Sequence, residues 1–411
     1  MTKTKFTAAN IKHPINLTNK NYNQNKNIHH KWLRENAPVY KGKMMFMNAY
    51  FLSRYEDCLS LLKDARFIRN RSTATGKSSP FPFPMPKSLR LLSKSMITED
   101  GTEHRRLRNL VHKAFTPRRL KALNGRIESL THELLDKTKG QKQIDLKTTY
   151  ALPIPVIVIS EMVGISADEV PQFTEYLKTL TNGFSSWKII FTMFWKMPKT
   201  VKYVRNLINK KRSNPQDDIL TGLIEAQEEG SKLSEDELVS LVFLLIIAGH
   251  ETTVHLITNS VITLLTYPQQ LALLKSDMTL VDSTIEEVFR YNPPVQTTKP
   301  NYASEDVTLH GVTIPKGSMV FPLLGSANMD PDKFENPETF DIARTPNKHL
   351  GLGQGIHYCL GAPLARMETK SALQTLFERY PNVELAIPAD KLELEKMPGW
   401  HRYKSLPVNL N

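Results

Sequence analysis

Between Glu103 and about residue 137, apolar residues recur at helical spacing: Leu107, Leu110, Val111 and Ala114, then Leu120, Leu123, Ile127, Leu130 and Leu134. Pro117 interrupts the run, and because proline lacks the amide a helix interior needs, the pattern predicts two consecutive helices. A longer apolar pattern follows Ser234-Glu235-Asp236-Glu237, where serine and a glutamate three residues on form a capping box, and it lasts until Pro268. It predicts a helix of about 34 residues, roughly 51 Å long. Strand-like segments cluster later: Val307–Ile314 contains Gly311, turn chemistry follows at Pro315-Lys316-Gly317, and Ser318–Leu323 comes next. Helices dominate and the sheet is small and segregated, a mainly α (α+β) arrangement.

Three segments depart from these patterns. Residues 69–97 are rich in Ser, Pro and Phe, and Pro80-Phe81-Pro82-Phe83-Pro84-Met85-Pro86 fits neither a regular helix nor a central strand. Residues 173–197 carry Phe173, Tyr176, Phe184, Trp187, Phe191, Phe194, Trp195 and Met197. Both suit covers over an apolar chamber, with Phe83 and Phe184 as candidate substrate contacts, although ordinary core packing explains the second equally well. The third is the start, which has seven asparagines between Asn10 and Asn27 and no apolar core of a secretory leader. It predicts an extended or poorly ordered arm over 1–28, ahead of a single unit over 29–411.

The longest apolar runs, Leu241–Ala248 and Ala151–Ile159, are shorter than the roughly 18–20 residues of a membrane span, so a soluble cytoplasmic monomer is expected. A chain of 411 residues can enclose a cofactor or substrate chamber. Its 54 Lys+Arg against 41 Asp+Glu give a net charge of +13, which admits nucleic acid, a membrane surface or an acidic protein as partner. Only two cysteines occur, Cys58 and Cys359, which excludes a disulfide framework and fits a reducing compartment.

The chemistry concentrates around Cys359, in His349-Leu350-Gly351-Leu352-Gly353-Gln354-Gly355-Ile356-His357-Tyr358-Cys359-Leu360-Gly361-Ala362-Pro363. Gly351, Gly353 and Gly355 allow positive φ, and Gly361 leaves room for a flat group to approach the backbone. The residues after Cys359 read as a helix, whose N-terminal amides favour thiolate over thiol. A nucleotide loop is disfavoured because no Lys-Ser/Thr follows the glycines, and zinc because one Cys and one His give too few ligands. A haem held through a single thiolate fits best.

This stretch resembles the haem loop of the cytochrome P450 family in its soluble bacterial branch, whose signature is Phe-Gly-x-Gly-x-His-x-Cys-x-Gly. The likeness extends over nearly the whole chain from about residue 50. It implies Cys359 as the axial ligand of a haem b, His357 as a propionate partner, and Gly353 and Gly361 beside the macrocycle. Glu287-Val288-Phe289-Arg290 matches the family's Glu-x-x-Arg; alone it reads as an i, i+3 surface pair, whereas the resemblance implies a buried network with Arg344. Ala248-Gly249-His250-Glu251-Thr252-Thr253 matches Ala-Gly-x-Asp/Glu-Thr-Thr. Ala248 and Thr252 share a helix face with Leu244, and Thr252 is spaced to bond the carbonyl four residues back. The resemblance implies an oxygen-activation groove at Ala248, with Thr252 hydrogen-bonding the oxygen species or a water and Glu251 relaying protons. It also implies His104 and Arg108 as propionate ligands, and Leu244, Ala248, Val295 and Gln296 around the substrate.

Two positions depart from the family pattern. Leu352 stands where the signature has Phe, which predicts altered redox poise. Asn301 stands where many relatives have a propionate-binding Arg, five residues before Asp306, and Lys299 is the candidate substitute. The resemblance implies insertion of one oxygen atom from O₂ into an apolar molecule of fatty acid, terpenoid, steroid or polyketide type. Electrons would come ultimately from NAD(P)H through a separate ferredoxin or flavodoxin with its reductase. Arg105, Arg106, Lys113 and Arg119 are candidate contacts for that carrier, so nucleic acid is not needed to explain the charge. A peroxygenase, a haem-thiolate isomerase and a non-enzymatic haem sensor are the alternatives.

Overall fold

The computed structural model describes residues 6–76, 91, 95–114, 117–183, 195–228 and 233–411. Phe83, Phe184 and most of the two proposed covers lie outside them. The paired helices are Gly101–Ala114 (α1) and Pro117–Asp136 (α2), and the long helix is Glu235–Thr266 (α3), 32 residues. Its capping box forms as expected: Glu237 N donates to Ser234 Oγ at 3.3 Å and Ser234 N to Glu237 Oε2 at 2.7 Å. Around α3 pack Pro153–Met162 (α4), Met197–Ser213 (α5), Val281–Tyr291 (α6) and Ala362–Arg379 (α7). Read as a whole, α3 is long and apolar enough to cross a membrane, which the shorter apolar runs did not reveal, and 61% of its most apolar window is buried in the fold.

The sheets are small. Val39–Met44 (β1), Met47–Leu52 (β2), Phe67–Ile68 (β3), Asn301–Ala303 (β4) and Met319–Pro322 (β5) form one sheet in the order β1-β2-β5-β4-β3. Val307–Leu309 and Val312–Ile314 form the expected hairpin, with His310 and Gly311 both at positive φ, the twist a two-residue turn requires. A further sheet joins Gln143–Asp145, Pro407–Asn409 and Glu384–Leu385.

The start of the chain is not the extended arm its asparagines suggest. Ile15 and Leu17 are 1% exposed and pack with Leu33, Phe51 and Phe321. Asn23 Nδ2 donates to the carbonyls of Leu17 and Asn19, and Asn16 Oδ1 accepts from Thr18 N at 3.0 Å. Short amides bonding nearby backbone let a polar sequence fold tightly, which an apolarity count does not register. Lys26 Nζ, in the helix Lys26–Asn36, donates to the Trp400 carbonyl and so ties this segment to the far end of the chain.

Burial, with Lys26 nearby, lowers the His401 imidazole to about 3. A histidine kept neutral by folding contributes stability that is present above its unfolded pKa near 6.5 and lost as pH falls toward the folded value. Urea unfolding of the haem-free chain should therefore show stability falling below pH 6.5. His401→Gln should make the decline shallower by up to about 1.4 kcal/mol per pH unit. Equal slopes would mean that the ring protonates freely in the fold.

Candidate functional site

The loop bearing Cys359 is held from three sides. Glu287 and Arg290, both fully buried, face each other on α6 with bonds of 2.8 and 2.7 Å, and Arg344 Nε reaches Glu287 Oε1 at 3.3 Å. Arg290 also donates to the carbonyls of Asn328, Pro337 and Thr339, and Asn347 and the amide of Asp341 donate to Glu287. Asn328 carries this order to the loop by accepting from Leu350 N at 2.8 Å. Glu286, one residue earlier, accepts two bonds from Arg366 and faces His349 at 3.0 Å; these partners hold its carboxyl down at about 2 against the opposing effect of burial.

Within the loop, Gly353 and Gly355 both adopt φ of +70°, where a side chain is strained. Gly351 does not take the expected positive φ. It is there for closeness, since a Cβ would stand 2.4 Å from the Phe289 carbonyl oxygen. A Cβ on Gly361 would meet no atom within 4 Å. Cys359 is half-buried just before α7, and its amide donates to the Leu352 carbonyl at 3.0 Å. Burial pushes its thiol up, opposed by the amides of Gly361 and Ala362 and by the cations Arg108 and Arg366. Cys58, by contrast, is a core residue whose thiol donates to the Leu52 carbonyl.

His104 on α1 is 1% exposed, and neither of its ring nitrogens has a partner among the described residues. It packs edge-on to His357, centroids 4.4 Å apart, and His357 Nε2 lies 3.7 Å from Asp100 Oδ1. Burial, assisted by His357 and Arg108, lowers His104 to about 4. Arg108 donates to the Ile356 carbonyl at 2.9 Å. Lys299 reaches open space although it lies deep in the fold, where burial and Arg69 push its ammonium down. Arg69 and Asp100 are neighbours that the sequence did not single out.

On α3 the face around Ala248 is open although most of the helix is buried: Leu244, Glu251 and Thr252 are partly exposed and Ala248 is exposed. Thr252 Oγ1 donates to the Ala248 carbonyl at 3.0 Å, as its spacing suggested. Glu251 does not stand free. It pairs with Arg402, which is 1% exposed and also bonds Glu395 at 2.8 Å, and Lys147 reaches Glu395 at 2.7 Å. Burial raises the Glu251 carboxyl while Arg402 opposes the shift.

The substrate candidates divide. Val295 is partly exposed and bridges Trp400, whereas Gln296 is buried, donating to the Pro293 carbonyl at 2.7 Å and filling the space over Gly325. Phe173 is 2% exposed and packs on Tyr203, a core position, while Trp195 is 59% exposed. Of the basic residues considered for a carrier, Arg105 is exposed, Arg106 is matched by Glu103 and Glu237, and the side chains of Lys113 and Arg119 lie outside those described.

Comparison with known proteins gives this arrangement its relatives. The family model described as Cytochrome P450 matches residues 9–396. The polyketide biosynthesis cytochrome P450 PksS of Bacillus subtilis is 37% identical over 382 residues, covering 92% of this chain and 94% of that protein. Its solved structure superposes with a TM-score of 0.89 at 36% identity, over 96% of this chain and 99% of that one. The 6-deoxyerythronolide B hydroxylase of Saccharopolyspora erythraea is 34% identical over 92% of this chain and 94% of its own. P450BioI, solved in complex with a hexadec-9Z-enoic acid ligated acyl carrier protein, has a TM-score of 0.86 at 36% identity, over 95% of this chain and 99% of that chain. With fold, loop and sequence in agreement over nearly its full length, the chain belongs to the cytochrome P450 family, as a helical domain with a small β domain.

Proposed function

We propose that the chain is a haem-thiolate monooxygenase acting on an apolar acyl or polyketide-type molecule, with electrons delivered by a separate ferredoxin or flavodoxin. The observation that carries the reading is His104, enclosed beside His357 with both ring nitrogens unpartnered. Buried polar groups are nearly always paired, so an acceptor of matching chemistry belongs there. The carboxylates of a haem supply it, and Arg108 and Lys299 supply counter-charge. Cys359 would be the soft donor; the room over Gly361 and the exposure of Ala248 support a flat ring held between them.

A haem bound through thiolate supplies O–O bond cleavage. The chain's own residues govern protons and water. Thr252 Oγ1, now donating to the Ala248 carbonyl, can turn its proton toward the open face, and Glu251 can carry a proton only when its bond to Arg402 loosens. Leu244 and Val295, both partly exposed, would give that space apolar walls. The names of PksS and of 6-deoxyerythronolide B hydroxylase, together with the acyl group carried in the P450BioI complex, support polyketide or fatty acyl substrates.

A ferric-haem titration with fatty acids, macrolactones, steroids and terpenoids should show loss of the axial water with the first two classes. Steroid or terpenoid responses alone would overturn the substrate class, and a colourless protein the whole reading. Turnover with H₂O₂ exceeding the ferredoxin route would instead favour a peroxygenase. Thr252→Ala should cut product formed per electron pair about tenfold or more, with Thr252→Ser recovering most of it. Unchanged coupling in the alanine variant would remove Thr252 from proton control.

A further inference from the structure

Asn301 is neutral and buried, at 4% exposed, and its Nδ2 has no partner among the described residues. Strand β4, which it begins, runs antiparallel to β3 with Phe67 opposite Ala303 and Ile68 opposite Tyr302. One further step of that register sets Arg69 opposite Asn301, and residues directly across an antiparallel ladder put their side chains on the same face. Arg69 is 8% exposed, and its Nε is buried without a partner among the described residues. One terminal nitrogen, Nη1, donates to Thr298 Oγ1 at 3.2 Å, to the Pro300 carbonyl at 3.4 Å and to the Lys299 carbonyl. Those bonds lay the guanidinium along the segment leading into β4.

Asp100 joins this arginine to the histidine pair. Its carboxylate accepts from the amides of Arg69 at 2.9 Å and Asn70 at 2.8 Å, and it stands beside His357. Asp100 also adds a negative charge to the place where two propionates are to be received. Arg69, Arg108 and Lys299 against Asp100 leave two positive charges, equal to what two propionates require. Without Arg69 the balance falls one short, and a buried unpaired carboxylate is costly.

We infer that Arg69 binds a haem propionate in this chain, taking across the β3–β4 ladder the place that an arginine at position 301 would fill. A planar fork with an unused buried N–H suits a carboxylate better than the point charge of Lys299 does, and Lys299 completes the charge balance. The inference rests on the haem-thiolate reading.

Haem transfer from the holoprotein to excess apomyoglobin tests it, alongside the ferric/ferrous midpoint potential. R69Q should lose haem about tenfold faster or more, with a lower potential because a cation near the iron is gone. R69Q/N301R should recover most of both properties by restoring the guanidinium from the opposite strand. R69K, the variant to use if R69Q does not accumulate, should keep the potential and lose haem at an intermediate rate. Wild-type rate and potential in R69Q would overturn the inference while leaving the haem reading intact. Faster loss that N301R does not correct would also overturn it, assigning Arg69 to holding the Thr298 hydroxyl and the carbonyls of Lys299 and Pro300. A wild-type chain that takes up no haem would overturn both.

Discussion

Cys359→Ala is expected to yield a folded protein whose ferrous–CO spectrum lacks the thiolate signature and whose monooxygenation is at background. The loop does not depend on the thiol for its shape, which comes from Gly353, Gly355, the Cys359 amide and the bonds of Asn328 and Glu286. The thermal midpoint of the haem-free variant should therefore stay close to wild type. No other cysteine can stand in, because Cys58 is wholly enclosed and committed to the Leu52 carbonyl. Retention of the thiolate-type spectrum in the variant would remove Cys359 as ligand, and with it the proposed chemistry.

Glu287→Ala should destabilise the haem-free chain by about 3–5 kcal/mol, because removing one partner leaves the Arg290 charge enclosed without its counter-ion. Arg290→Ala should cost a similar amount, since it strips donors from three carbonyls as well as from Glu287. Arg344→Ala should cost less: that side chain is 11% exposed and its contact with Glu287 is longer. Urea unfolding of the three variants gives the ranking, and a value below 1 kcal/mol for Glu287→Ala would show that the network is not enclosed in solution. If the fold holds at low temperature, reduced haem affinity should follow, because Asn328 links this network to Leu350.

What the sequence disclosed were features whose signal is local. The capping box at Ser234, the break at Pro117, the Gly311 hairpin and the helix after Cys359 each follow from a few neighbouring residues, and each is present. The Glu287–Arg290 pair was legible as a spacing, but only its surroundings distinguish an enclosed ion pair from a surface one. Arg402 gave no signal at all. It lies 151 positions from Glu251 and meets it only because the segment 400–402, just after the turn at Pro398-Gly399, lies against α3. Arg69 was hidden for a similar reason: its importance comes from a strand register with Asn301, which no periodicity encodes. The asparagine-rich start was misread because its amides bond to backbone close by instead of to water.

The grip of Lys26 on the Trp400 carbonyl makes the two ends of the chain a single latch. Two residues beyond Trp400, Arg402 holds Glu251, so on the proposed reading shortening the protein from its N-terminus would act at a distance on the residue assigned to proton relay. Versions cut back beyond residue 26 to aid crystallisation, or clipped there by a protease, would lose this tie together with the packing of Ile15 and Leu17 on Leu33, Phe51 and Phe321, and on the proposed reading they would deliver protons differently from the full chain.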